Sequence, residues 1–398
     1  MSAALVERTR RFVRDVVVPA EPPAGTALQP DRRRELQRLA REAGVFAPHV
    51  PEPFGGLGLP LTEWSAVFQE AGYSIIGPAV LNCMAPDEGN MLLLERVGTP
   101  AQHERFLVPL AAGEVRSCFA MTEPHPGAGS DPAALATEAR RVDGGWRLDG
   151  EKRFISGAEE AGFAIVMART PELGEGAATM FLVGMDAEGV EVGHRIRTLE
   201  TAITGGHPHV RYEACFVPDR DVLGTPGDAF RHAQLRLAPA RLTHCMRWLG
   251  LARRAQDTAL DRVRAREAFG SPLAQLGIAQ GLLADSEIDL ASSDALIDWA
   301  VARVVTDARA GATASSLAKV HCAEAVGRVV DRAVQLCGGD GVTLELPLLA
   351  FLNEVRPFRV YDGSSETHRW AIARRAVSRR RREVEAGATV LDTPEGAR

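Results

Sequence analysis

The last third of the chain holds three long stretches in which apolar residues recur at helical spacing. They read "MRWLGLARRAQDTALDRVRAREAFG", "GLLADSEIDLASSDALIDWAVARVVTDARA" and "TASSLAKVHCAEAVGRVVDRAVQLCGG". Each is long enough to cross a bundle, and helices of that length persist in water because neighbours cover their apolar faces. Upstream the pattern changes twice. Between about 118 and 235, "WRLDGEKRFISG", "FAIVMART", "TMFLVGM" and "VRYEACFVP" are short alternating or apolar runs separated by Gly and Asp. That pattern predicts an antiparallel sheet. From residue 2 to about 117, "DRRRELQRLAREAGV", "LTEWSAVFQEAGYS" and "AQHERFLVPLAAGE" are helical in spacing, with turns such as "PEPFGGLGLP" between them. The expectation is a mostly α chain with a central β domain. Residues 1–117 would form an N-terminal helical domain, 118–235 a middle antiparallel β domain and 236–382 a C-terminal four-helix bundle. Residues 383–398 would be a flexible tail.

Bulk numbers narrow the function classes. A chain of 398 residues exceeds what one core usually serves, so two or three domains are expected. The net charge of −6 provides no global field toward nucleic acid or an anionic membrane. Positive charge is almost all arginine; only Lys152 and Lys319 are lysines. The six cysteines are scattered, without CxxC, as reduced thiols of a cytoplasmic protein would be. No apolar run reaches the ~18 residues of a membrane span. "MSAALVERTRRFVRDVVVPAE" reads as an amphipathic helix closed by Pro19, not as a targeting segment. There is no strand–GxGxxG–helix unit, so a Rossmann-bound dinucleotide is not expected. The glycine-rich "GAGSD" at 127–131 would let backbone N–H groups approach a phosphate or ring edge, or would simply turn between strands.

"SCFAMTEPHPGAGSD", "LDGEKRFISG", "RAREAFGSPL", "QLCGGDG" and "VYDGSSETHR" occur in the order and approximate spacing of the acyl-CoA dehydrogenase family. The chain resembles that family over nearly its whole length. "NCMAPDEGNM", "RLTHCMR" and "DGSSETHR" are most similar to the branch of mammalian family members ten and eleven. Some of those carry a kinase-like domain, and no segment of this sequence reads as one. The resemblance implies FAD and α,β-dehydrogenation of an acyl thioester tethered to CoA or a carrier protein. It also implies an electron-transfer flavoprotein as acceptor, and a homodimer or homotetramer.

Family roles carried over by position place Phe119, Met121 and Thr122 along the flavin. Phe154 stands where the family usually has Trp against the isoalloxazine, and Ser156 where it has Thr near flavin N5. Ser130 matches a serine near the flavin phosphate or the substrate. However, "EPHPGAGSD" is two residues longer than the usual "EPGAGSD", so His125 and Pro126 would form a bulge at the pocket. Arg266, Phe269 and Gln280, with Gln335, Gly338 and Gly339, match elements that meet FAD from the neighbouring subunit. An arginine fork suits pyrophosphate oxygens. Ser364 and Glu366 fall on the cofactor side, and Arg241, Cys245 and Gly363 on the substrate side; Cys245 reads equally as a core thiol.

The catalytic base is the point of departure. The family's Glu usually precedes the Gly of "EGTS", and a second lineage places it at the position of Ala240, which cannot act. Asp362 is the one acid at either place. The reaction calls for a carboxylate of raised pKa aimed at the α-carbon. Losing a methylene shortens the reach by roughly 1.5 Å, and a misplacement of about 1 Å costs on the order of 100-fold in rate. Asp362 is therefore a retuned base or a turn-forming Asp before Gly. Other readings are a nitroalkane-oxidase-like flavin oxidase with an Asp base, or a nucleic-acid-binding relative of the AidB type using "ARRAVSRRRREVE". The net negative charge opposes the latter. His207 and His209 lack a third ligand, so no metal is expected.

Overall fold

The computed structural model describes residues 2–201 and 205–387. Residues 388–398, most of the expected tail, lie outside the described residues. The N-terminal layer consists of α1 (Ser2–Phe12), α2 (Pro30–Glu42), α3 (Trp64–Gly72), α4 (Gly77–Val80), α5 (Asp87–Val97), α6 (Pro100–Gln102) and α7 (Val108–Ala111). The middle layer is one sheet built from β1 (Ser117–Ala120), β2 (Glu138–Val142), β3 (Gly145–Lys152), β4 (Phe163–Arg169), β5 (Ala178–Gly184), β6 (Val190–Arg195), β7 (Pro208–Pro218) and β8 (Val222–Leu223). The C-terminal layer is α8 (Ala229–Ala265), α9 (Gly277–Thr306), α10 (Ala308–Cys337), α11 (Leu348–Val355) and α12 (Ser365–Glu385).

Two expectations need correction in detail. The sheet runs β6-β7-β3-β2-β4-β5-β8 and is mainly antiparallel, but β4 pairs in parallel with β2, Glu138 opposite Arg169, and with β1, Ser117 opposite Phe163. Strands β1 and β4 start from the same edge, where Gly162 N donates to Arg116 O at 2.8 Å. The bundle also begins earlier and ends later than the sequence pattern indicated, at Ala229 and Glu385. The four long helices α8, α9, α10 and α12 form the expected bundle, with α11 lying across it.

Helix α8 governs the site. Every residue from Arg236 to Ala252 is buried, so this helix is enclosed on all sides rather than amphipathic. It crosses α3 closely enough that a Cβ on Gly250 would lie 2.0 Å from Gln69 O, and one on Gly72 2.0 Å from Arg247 O. Glycine is required at both points. Enclosing a helix that carries Arg236, Arg241, His244 and Arg247 would be prohibitive unless these polar groups found partners. Where those partners lie is where the site lies.

Candidate active site

The loop between α11 and α12 delivers Asp362 to the buried face of α8. Asp362 takes a left-handed backbone, φ 52°, a conformation that Asp tolerates better than most residues. Three helices hold its loop. From α8, Arg241 Nε donates to Asp362 O at 3.1 Å; from α12, His368 Nε2 meets the same oxygen at 3.0 Å. From α10, Lys319 Nζ donates to Gly363 O at 2.6 Å. Gly363 has φ 92°, and a Cβ there would lie 2.7 Å from His368 Nε2, so the loop closes only with glycine. The Asp362 carboxylate accepts from His244 Nε2 at 3.0 Å, with its side chain 22% exposed. Ser364 Oγ caps α12 by accepting from Thr367 N at 3.2 Å.

The electrostatics correct one expectation. Burial pushes the Asp362 carboxyl up, but the His244 hydrogen bond and the Arg236 and Arg241 charges outweigh it and hold it well below the usual carboxylate range. The group is thus a fixed carboxylate, not one of raised pKa: the sequence placed the acid but not the cations that surround it. Burial, and then the Arg247 charge, lower His244 to about 4, and burial lowers Lys319 to about 8.

Two of the expected flavin-side residues, Phe119 and Ser156, connect to this point. Arg236, whose charge acts on Asp362, lies with its guanidinium carbon 4.1 Å from the centroid of the Phe119 ring. Phe154 also has a left-handed backbone, φ 58°, and leaves its ring 47% exposed. Ser156 Oγ lies 2.9 Å from His207 Nδ1, and His207 Nε2 lies 3.3 Å from Glu200. Glu200 in turn acts on Tyr361, next to the base. Behind these residues, Glu123 organises the glycine-rich loop: its carboxylate accepts from the backbone N–H of Ala128, Ala136 and Thr137. Lys152 Nζ donates to Glu123 at 2.8 Å, to Met167 O at 2.6 Å and to Met121 O at 3.3 Å. The extra His125 and Pro126 are exposed in a turn closed by Gly127 N to Pro124 O at 2.8 Å. Thr122 and Ser130 are exposed, and Met121 is half-buried. Half-exposed aromatic faces, a fixed hydroxyl and a braced backbone loop fit a flat cofactor with polar edges.

A second group lies elsewhere. Arg266 ends α8 and is exposed, as are Gln280, Gln335, Gly338 and Gly339, while Phe269 is 96% exposed. These residues share one end of the bundle, where Arg262 pairs with Asp340 at 2.6 Å. Arg241 and Arg266 are 25 residues apart on α8 (266 − 241), about 38 Å along its axis. The second group therefore lies far along the bundle from the Asp362 loop.

Two further expected residues differ in exposure. Cys245 is fully buried inside the bundle, where burial pushes its thiol pKa up; Glu366 is exposed in the first turn of α12. The basic run lies on the exposed end of α12, where Arg379, Arg380 and Arg381 pair with Glu383 and Glu385. The sequence offered one unread signal. In a chain that otherwise uses arginine, both lysines are fully buried. A compact ammonium can donate in three directions to carbonyls, as a planar guanidinium cannot. Lysine thus marked two of the interior cations that brace the loops.

Among the described residues no helix is long and apolar enough to cross a membrane, and no group of three or more His, Cys, Asp or Glu could hold a metal ion.

A helical layer, a sheet and a helical bundle, with a partly buried carboxylate held at the bundle, are the architecture of the acyl-CoA dehydrogenase fold. Family models describe the chain in three parts: "Acyl-CoA dehydrogenase, N-terminal domain" matches residues 2–114, "middle domain" 118–209 and "C-terminal domain" 227–377. The chain belongs to the acyl-CoA dehydrogenase family. It is 35% identical to the Mycobacterium tuberculosis acyl-CoA dehydrogenase FadE2, covering 89% of this chain and 88% of that protein. It is 32% identical to acyl-CoA dehydrogenase family member 10 of Mus musculus, covering 96% of this chain but 37% of that longer protein. An acyl-CoA dehydrogenase structure from Mycobacterium abscessus superposes with a TM-score of 0.88 at 31% identity, covering 95% of this chain and 98% of that one. A Mycobacterium smegmatis glutaryl-CoA dehydrogenase in complex with FADH2 has a TM-score of 0.79 at 25% identity, covering 95% and 94%.

Proposed function

We propose that the protein is an FAD-dependent acyl-CoA dehydrogenase in which Asp362 removes the α-proton of an acyl thioester. The observation that carries this is the setting of the Asp362 carboxylate: His244 bonds it directly, while Arg241, His368 and Lys319 hold the backbone carbonyls of its loop, the four side chains coming from three helices. Its loop is held and its charge kept, with 22% of the side chain open toward a ligand. Preorganisation of this kind places a reacting group without reorganisation at the moment of transfer. It also answers the missing methylene, because the loop, rather than the side chain, provides the reach.

Phe119, Met121, Thr122, Phe154 and Ser156 would flank the isoalloxazine, and Ser130, Ser364 and Glu366 its polar edge. Bound FAD supplies a hydride acceptor at N5 for the β-hydrogen. The aromatic rings would exclude water from the reacting carbons, while the Ser156 hydroxyl, held by His207, would border the polar edge. Arg241 and Gly363 would border the thioester. Arg266, Phe269, Gln280, Gln335, Gly338 and Gly339 would serve the FAD of a second copy, so a homodimer or homotetramer is required. The exposed Phe269, Ile278 and Trp370 support this, at 96%, 85% and 61%. An electron-transfer flavoprotein would take the electrons, and buried free cysteines suit a cytoplasmic location.

The test is anaerobic bleaching of the purified flavoprotein by acyl-CoA thioesters of varied length and branching. Bleaching by at least one is expected; none from any thioester would overturn the proposal. The aspartate base specifically favours a second reading, a nitroalkane-oxidase-like activity. Oxygen uptake with nitroalkanes and no bleaching by acyl-CoA would decide for it.

A further inference from the structure

One group at the base lies within "RLTHCMR" but takes no role from the motifs read in the sequence: His244. It sits on α8 beyond Arg241, with its side chain 5% exposed. Its ring lies 4.9 Å from that of Tyr361 and 5.9 Å from that of Phe358. Arg247 Nη2 is 2.6 Å from His244 Nδ1. A guanidinium carries only donors, so Nδ1 must accept and the single ring proton belongs on Nε2. Nε2 faces Asp362 Oδ2 at 3.0 Å and donates to it. Among the described residues, Oδ1 takes no hydrogen bond.

We propose that His244 is the positioning residue of the base: it pins Oδ2 and turns Oδ1 toward the acyl α-carbon, making up for the methylene that Asp362 lacks. This rests on the reading of Asp362 as the base. The setting explains why a neutral donor is needed. Facing the carboxylate are Arg236 and Arg241 from α8, Lys319 from α10 and His368 from α12. Facing His244 are Arg247 and Arg236, and Glu88 of α5 acts on both arginines. With cations on several sides, a carboxylate lacking this pin would swing toward the nearest charge. Because burial and Arg247 keep His244 neutral down to about pH 4, the pin holds throughout the neutral range. In the transfer, the α-C–H bond breaks, its proton forms an O–H bond on Oδ1, and the electron pair remains with the acyl carbons. His244 keeps its proton, and Oδ2 of the neutral acid still accepts it.

The experiment uses the holoenzyme and a 3-thia-acyl-CoA matching whichever straight-chain thioester bleaches the wild type fastest. With sulfur at the β position the analogue can lose its α-proton but has no β-hydride to give. Its enolate over oxidised flavin appears as a long-wavelength charge-transfer band, which reads deprotonation without turnover. His244→Leu removes the donor, while His244→Gln keeps an N–H near the Nε2 position. Losing a hydrogen bond to its charged form makes a carboxylate more basic, whereas mispositioning by about 1 Å slows transfer about 100-fold. The Leu variant should therefore approach a band no smaller than wild type about 100-fold more slowly, and the Gln variant should recover most of the rate. A wild-type rate in His244→Leu, or a band lost together with the rate, would overturn the proposal. If His244→Leu does not hold flavin, His244→Gln decides, and its failing as severely as a donorless site would count against the pin. Asp362→Asn separates the two ideas. If it abolishes the band while His244→Leu behaves normally, the base stands and the positioning role falls; if the band survives, the base reading itself falls.

Discussion

Asp362→Glu restores the longer acid that the family pattern carries at this point, and the structure predicts a slower enzyme. Two costs follow from the geometry. Residue 362 has φ 52°, a left-handed backbone that costs roughly 1–2 kcal/mol for L-residues other than Asn or Asp, whose short side chains bond locally. The added methylene lengthens the arm by about 1.5 Å, yet His244 Nε2 already stands 3.0 Å from the carboxylate. His244 cannot retreat, because Arg247 lies 2.6 Å behind it. The Glu carboxylate must then turn off the α-carbon axis by about 1 Å or more, which costs on the order of 100-fold. Single-turnover flavin reduction by the preferred acyl-CoA, compared between the two enzymes at equal flavin occupancy, measures it directly. A Glu variant as fast as the wild type would refute the argument that the surrounding donors, rather than side-chain length, set the reach.

Glu123→Gln leaves the fully buried Lys152 ammonium without a counter-charge, and breaking a buried pair costs about 3–5 kcal/mol; a thermal melt should show it, with Glu123→Gln/Lys152→Met recovering part. Lys319→Met strips the donor from Gly363 O and should retain flavin while lowering kcat/KM by roughly tenfold or more, the value of a charged hydrogen bond. His244 gives a pH signature. Its pKa is about 4 when folded against 6.5 for the free side chain. Between those values the unfolded chain binds a proton that the folded chain does not. Stability is therefore unaffected above pH 6.5 and falls as pH drops toward 4, by up to about 3 kcal/mol. In His244→Gln this contribution should be lost, leaving a shallower slope from His49 and His368, which burial also lowers; an unchanged pH dependence of Tm would contradict the assignment. Phe269→Glu should weaken FAD retention and reduce the oligomer on a sizing column, while a single-copy site would leave both unchanged.

Local pattern alone determined much here. Period 3.6 in the long C-terminal stretches and alternation between 145 and 218 gave element types and their order, because each reads off residues adjacent in the chain. The motif string around Asp362 located the acid for the same reason. Tertiary structure decided what that acid is. Arg241, His244 and Lys319 lie 121, 118 and 44 positions from the loop atoms they hold, and no periodicity relates residues so separated. An amphipathic pattern also gives no warning of α8, whose full enclosure makes its arginines and histidine interior groups. Burial and the partners that three helices bring to one point set the carboxylate's charge, and those exist only once the chain has packed.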